Sequence, residues 1–179
     1  MMIRFEDAKK YFYANTGAVK AVDGVSLSIE KGDSFGIIGE SGCGKTTLGK
    51  LALGILKADS GRVTRATDRI QVIFQDPYNS LDPKMKIYDI LAEGLVIRSC
   101  ADTGRRVGEV LDLIRLPKTA LKKYPHQFSG GERQRIAIGR AVLTEPEFIV
   151  CDEPVSSLDV TIQLEILKLP SGKLVRVFF

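Results

Sequence analysis

Eight consecutive residues, Gly39-Glu40-Ser41-Gly42-Cys43-Gly44-Lys45-Thr46, fit the spacing G-x-x-x-x-G-K-[ST]. Glycines at these positions let the backbone curl so that several N–H groups point at one anion. The positive end of a following helix adds to that field. Lys45 would neutralise the β and γ phosphates of a nucleotide, and Thr46 would offer its hydroxyl to Mg²⁺. Cys43 occupies a free position of the pattern, so its thiol is assigned no chemistry. A second group stands at Asp152-Glu153-Pro154, directly after the apolar run Phe148-Ile149-Val150-Cys151. If that run is a strand, Asp152 leaves the sheet at its carboxyl edge, where ligands collect in open α/β folds. Asp152 then suits Mg²⁺, directly or through water. Glu153 is placed to orient or deprotonate a water in line with the γ-phosphate. A plainer reading, a strand followed by a polar turn before the proline, covers the same residues.

The third group is Ser129-Gly130-Gly131-Glu132. Ser129-x-x-Glu132 has capping-box spacing and predicts a helix from about Glu132 to Leu143, with Ile136, Ala137, Ala141 and Leu143 facing inward. A well-capped helix is a sufficient local account. Gly130 and Gly131 add a second possibility, because they leave the first-turn N–H groups bare to a phosphate. One chain already has its phosphate loop. A second anion-binding helix start makes sense if it covers the nucleotide of another subunit.

These residues need elements to hold them. Val25, Leu27 and Ile29 alternate with polar residues, as in a half-buried strand. Ser34-Phe35-Gly36-Ile37-Ile38 reads as a short strand buried on both faces. The glycine loop follows it, then a helix from Thr46 to Ile55. Ile70 to Phe74 reads as another strand. From about residue 80 to 128 the period changes: Ile87, Ile90, Leu91 and Leu95, then Val107, Val110, Leu111 and Ile114, mark amphipathic helices. The order predicts an α/β fold of the phosphate-loop NTPase type. It has a parallel-sheet core, an N-terminal antiparallel β-subdomain and an inserted helical subdomain at about 80–128.

The 179 residues, 44% of them hydrophobic, suffice for one domain spanning 1–179. The net charge of +4 is spread without a run of five like charges, and no basic tract with interleaved aromatics suggests nucleic acid. Three cysteines without C-x-x-C spacing argue against a disulfide framework or zinc site and fit a reducing compartment. No apolar stretch approaches the roughly 18 residues needed to cross a bilayer, so a membrane role would run through a partner.

Taken together, the chain resembles the ATP-binding subunit of an ABC transporter. GESGCGKT is similar to the Walker A motif of that family, FSGGERQ to its signature, and FIVCDEP to its Walker B strand with the catalytic Glu. Gln75 in Phe74-Gln75-Asp76-Pro77 resembles the Q-loop glutamine, and Ser156-Ser157-Leu158-Asp159 the D-loop. Tyr11 is similar to the aromatic that stacks on adenine, with Phe12 and Tyr13 as adjacent candidates. The resemblance implies ATP and Mg²⁺ as cofactors. It implies Glu153, Gln75 and Lys45 as catalytic groups and Thr46, Gln75 and Asp152 as metal partners. The nucleotide set would be Tyr11, Gly39 to Thr46, Thr47, Gln75 and Asp152, with Ser129, Gly130, Gly131, Glu132 and Asp159.

FQDPYNSLDP and YPHQFSGGERQRIAIGRAV resemble importers of oligopeptides, dipeptides and nickel or metal chelates. That implies a second ATP-binding subunit, identical or different, two membrane permeases and, indirectly, an extracytoplasmic solute-binding protein. It also implies a location on the cytoplasmic face of the cell membrane. Three features depart from the family pattern. Glu132 stands where Gln is usual. Residues 60–70 are shorter than the usual hairpin insert. After the D-loop, a helical pattern stops at Pro170-Ser171-Gly172, and Lys173 to Phe179 reads as a strand without the switch histidine that the family carries further on. The sequence alone leaves two accounts of residues 170–179, a shortened version of the expected strand or non-native sequence. It also leaves a nucleotide-binding module without turnover, or a soluble ABC ATPase outside transport, as alternatives. His126, upstream of the signature, reads as a loop histidine.

Overall fold

A computed structural model describes residues 1–14, 17–73, 80–151 and 175–178. The expectations for Gln75, Asp152, Glu153, Asp159 and the helical pattern 158–169 lie outside the described residues. The described elements run β1 (Ile3–Ala14), β2 (Gly17–Ile29), β3 (Ser34–Gly36), α1 (Lys45–Leu53), β4 (Ser60–Arg65) and β5 (Ile70–Ile73). They continue with α2 (Ile87–Ile97), α3 (Thr103–Leu113), α4 (Gly130–Leu143), β6 (Phe148–Cys151) and β7 (Val175–Phe178), with two short 3₁₀ turns between α3 and α4. The chain divides into two compact units. One is built on Met1–Val72 with β6 and β7, the other on Ile73–Pro146.

In the first unit β1 is the middle strand of an antiparallel sheet of order β2-β1-β4. The alternation Val25, Leu27, Ile29 sets its buried face: these three are covered while Ser26 and Ser28 stay exposed. The register opens at Ile3↔Ile29 and reaches Tyr11↔Lys20 after shifts near Ala8 and Lys10. Such shifts bend and twist a ribbon locally. β4 ends at Arg65 and β5 begins at Ile70. The second sheet has the order β3-β7-β6-β5, with β3 and β6 both parallel to β7. The tail 175–178 is thus a strand, as its sequence predicts, and it lies inside the sheet with pairs on both sides. Ile3, Phe5, Ile29 and Leu51 form one core with Phe148 and Val150. Fully burying an aliphatic side chain contributes about 1.5–3 kcal/mol.

The expectation that Ser34–Ile38 is buried on both faces is not met. β3 is three residues long and, among the described residues, stands at the sheet edge; Ser34 and Gly36 are exposed and Ile38 is fully so. Only Phe35 and Ile37 pack against the core. An edge strand has one paired neighbour, and here its alternation leaves one covered face.

The second unit is helical. Ile87, Ile90, Leu91 and Leu95 of α2 meet Val107 and Leu111 of α3, and Ile136 and Ala137 of α4, in a continuous core. The i, i+3, i+4 spacing read from the sequence is the stripe that packs. Arginines tie the C-terminal end of α4 to its neighbours. Arg98 donates to the Thr144 carbonyl, and Arg106 to the Leu143 carbonyl and the Glu145 carboxylate. Cations suit the carbonyl end of a helix, where the dipole is negative.

Candidate nucleotide-binding site

The glycine loop bridges β3 and α1. Its geometry depends on two backbones in the left-handed region, Gly42 at φ 82° and Gly44 at φ 101°. Gly44 is also a close approach: a Cβ there would lie 1.9 Å from the Ala21 carbonyl oxygen of β2. No side chain with a Cβ fits without moving backbone. Gly44 is the N-cap of α1, which has no side-chain cap and no acidic residue in its first turn. The first-turn N–H groups of α1 therefore keep their field for an anion. Lys45 folds back over the loop, its ammonium donating to the carbonyls of Gly39 at 2.7 Å and Glu40 at 2.8 Å. Its Nζ lies 3.9 Å from Cys43 Sγ. Two carbonyls fix the cation on the loop, and the next residue, Thr46, is exposed. This cradle fits a polyphosphate: small at the curl, positive at the helix start, with one ammonium held in place.

The sheet register brings the end of β6 level with the end of β3, from which the loop departs. Gly36 and Cys151 both stand opposite Phe178. With β3 and β6 both parallel to β7, the chain leaves β3 toward the loop, and leaves β6 at Cys151, on the same carboxyl edge. All four residues of β6 are buried, as its apolar run predicts.

Tyr11 is held from three sides. Its hydroxyl donates to the Asp23 carboxylate, its backbone N–H donates to Asp59 Oδ2 at 2.7 Å, and the Lys20 ammonium lies 5.5 Å from its ring centroid. The Asp23 contact pushes the phenol up to about 12 and holds the Asp23 carboxyl below its usual range. Tyr13 is 80% exposed, and Phe12 points to the other side of β1. Sequence reasoning named Tyr11 and missed Asp23, Asp59 and Lys20. Asp23-Gly24 reads locally as turn chemistry, and Asp59 is 48 residues from the tyrosine it fixes.

In the helical unit, α4 starts as the capping-box spacing predicts, two residues earlier than Glu132. Ser129 is the N-cap; its hydroxyl accepts from the Glu132 N–H at 3.3 Å, and Glu132 accepts the Ser129 N–H at 2.8 Å and its hydroxyl at 2.7 Å. The Ser129 N–H, then its hydroxyl, hold the Glu132 carboxyl below its usual range. A Cβ at Gly130 would meet nothing within 4 Å, so the helix start is open to an approaching group. Ile136, Ala137, Ala141 and Leu143 are buried, and so is Gln134, which the amphipathic pattern did not single out. Arg140, half-buried, donates to the Ser80 carbonyl at 2.8 Å. His126 lies in the 3₁₀ turn Pro125–Gln127, stacked on Tyr124. Among the described residues no group of three or more His, Cys, Asp or Glu could hold a metal ion.

The family model described as ABC transporter matches residues 22–156, from the strand under the loop to beyond β6. This chain belongs to the ABC transporter family. It is 42% identical over 188 residues to the oligopeptide transport ATP-binding protein OppF of Bacillus subtilis, covering 94% of this chain and 62% of that relative. OppF of Streptococcus mutans is 45% identical, covering 84% and 55%. A putative peptide import ATP-binding protein of Brucella ovis is 40% identical, covering 89% and 56%. The chain thus spans 55–62% of the length of these curated relatives. Among solved structures, the ATP-binding cassette MJ0796, dimeric in a post-hydrolysis state bound to ADP and Pi, superposes at a TM-score of 0.87 with 24% identity. The match covers 99% of this chain and 87% of that one. cbiO1 from Clostridium perfringens, part of the ABC transporter complex cbiONQ, gives 0.79 with 26% identity, covering 99% and 77%. The fold is the α/β cassette expected from the sequence, with its antiparallel β-sheet and helical unit.

Proposed function

We propose that this chain is the ATP-binding, energy-coupling subunit of a peptide importer of the ABC family. The observation that carries the proposal is the loop at Gly39–Thr46, with Lys45 held on two loop carbonyls and a helix start without a side-chain cap, in a chain whose relatives bear peptide-import names. Those names favour peptides over the nickel and metal-chelate cargo that the motifs also allowed.

In this reading the loop N–H groups from Gly39 to Thr47 bind the triphosphate, and Lys45 shifts its ammonium from two carbonyls toward the β and γ oxygens. Tyr11 stacks on the base. Thr46, Gln75 and Asp152 would hold Mg²⁺, which would neutralise charge on the phosphates. Glu153 would orient and deprotonate the attacking water, and Gln75 would report the state of the site to a permease. Ser129, Gly130, Gly131 and Glu132 of a second subunit would close over the same nucleotide, with Asp159 at the seam. Closure would drive the permeases, and hydrolysis would reset them. The assembly would include a solute-binding protein outside the membrane and would place this subunit on its cytoplasmic face. Among the described residues no helix is long and apolar enough to cross a membrane.

The test is Mg²⁺-dependent ATP binding and phosphate release by wild type and Glu153→Gln. The variant should bind ATP as the wild type does, with turnover reduced by at least about a hundredfold, in the range of lost catalytic bases. Equal turnover would remove Glu153 from its role.

A further inference from the structure

Three residues of β2 touch the two halves of the proposed nucleotide site. The Ala21 carbonyl lies against Gly44, where a Cβ would come within 1.9 Å. Lys20 precedes Ala21 and sits opposite Tyr11 in the register; Asp23 follows two residues later and takes the Tyr11 hydroxyl. Lys20 also donates to Asp23 at 3.2 Å, which closes a triangle of ring, ammonium and carboxylate. Lys20 covers one face of the ring at 5.5 Å, a cation–π distance. A base stacking on this ring would take the face opposite Lys20. Asp59 fixes the tyrosine backbone and is itself held by Lys10 at 2.6 Å.

We propose that Asp23 is a positioning residue for the nucleotide base. Together with Lys20 it locks Tyr11 as a one-sided stacking platform, anchored to the same strand segment on which the phosphate loop rests. The inference rests on the nucleotide-site reading above and names what sets its base affinity. A ring already fixed before binding loses less rotamer freedom when the base arrives. The spacing between platform and loop is then set by β2, since Lys20, Ala21 and Asp23 share one short stretch of backbone. The raised phenol pKa agrees with a hydroxyl that stays a donor to the carboxylate across the physiological range.

The test separates base from phosphate. Equilibrium binding of ATP and of inorganic triphosphate is measured for wild type, Tyr11→Ala, Tyr11→Phe, Asp23→Ala, Asp23→Asn and the double variant Asp23→Ala/Tyr11→Phe. Tyr11→Ala should weaken ATP on the order of tenfold, the scale of a lost base–aromatic stack. Asp23→Ala and Tyr11→Phe should each weaken ATP by about three- to fivefold through lost preorganisation. The double variant should be no worse than either single one, because both remove the same contact. Asp23→Asn, which keeps an acceptor for the hydroxyl, should restore most of the affinity. Inorganic triphosphate should bind all six proteins alike. Equal weakening of ATP and triphosphate would show Asp23 to be a structural prop of the β1–β2 ribbon and overturn the proposal, as would ATP affinity unchanged in Asp23→Ala. Failure of the wild type to bind ATP at all would overturn the nucleotide reading and this inference with it.

Discussion

Helices α1 and α4 both begin next to glycines, yet they finish their first turns in opposite ways. α1 has no side-chain cap and no acid in its first turn; a lysine stands at its start. α4 carries a reciprocal Ser129–Glu132 box, so a carboxylate already sits in its first turn. The glycines differ in kind as well. Gly44 is held at φ 101° against the Ala21 carbonyl, whereas Gly130 faces open space. One helix start has neither a side-chain cap nor an acid in its first turn. The other is internally satisfied and stable without a ligand, with only its glycine N–H groups open. That is the arrangement expected if α1 holds a nucleotide and α4 covers one bound elsewhere.

The same substitution at the two glycines breaks the comparison most sharply. Gly44→Ala meets both a left-handed backbone and a carbonyl, and should lower stability by at least about 2 kcal/mol, the scale of strain at such positions. ATP binding should vanish with it. Gly130→Ala should leave the melting temperature unchanged or raise it, since Ala is favoured over Gly in helices by up to about 1 kcal/mol. Thermal melts of the two variants check the contrast, and matching losses would dissolve it.

Lys45→Ala should come next. It removes the cation and two hydrogen bonds to the loop. ATP affinity should fall by about ten- to a hundredfold, the worth of a charge-assisted contact or two, with little change in melting. Titration calorimetry reads the difference. Ser129→Ala should have a smaller effect, about 1 kcal/mol of stability from the lost cap, with ATP affinity of the isolated chain unchanged. Denaturant melts and binding together test that split.

The smallest effect concerns pH. Glu132 has a folded-state pKa below its ordinary 4.5, through the Ser129 N–H first and the hydroxyl second. A lowered folded pKa contributes stability that is present above the unfolded value and lost as pH falls through the folded one. Wild type should therefore outlast Glu132→Gln at pH 7, and the gap should narrow below about pH 4.5. A gap that widens on acidification would contradict the sign. Because Glu132 is close to the surface, solvent screening keeps this contribution small.

Both helix starts were legible in the sequence because their chemistry is local. The G-x-x-x-x-G-K-[ST] spacing and the S-x-x-E box each act within one turn of chain. The strand Phe148–Cys151 was legible from its unbroken apolar run, and the helical unit from its stripe. What remained hidden depends on distant pairings. Three adjacent aromatics at 11–13 look alike in sequence; Asp59, just before β4, and Asp23 of β2 hold Tyr11. Ser34–Ile38 reads as a fully covered strand because hydrophobicity does not say how many neighbours a strand has, and among the described residues β3 has one. Residues 175–178 read as a strand, but nothing in them specifies a place between β3 and β6. Gln134, polar and buried in α4, falls outside any apolar period.

The most direct test of the central claim is equilibrium binding of Mg²⁺-ATP to this chain and to its Lys45→Ala variant, with circular dichroism confirming that both are folded. The account predicts one saturable nucleotide per wild-type chain and at least about tenfold weaker binding by the variant. Equal affinity in two folded proteins would contradict it.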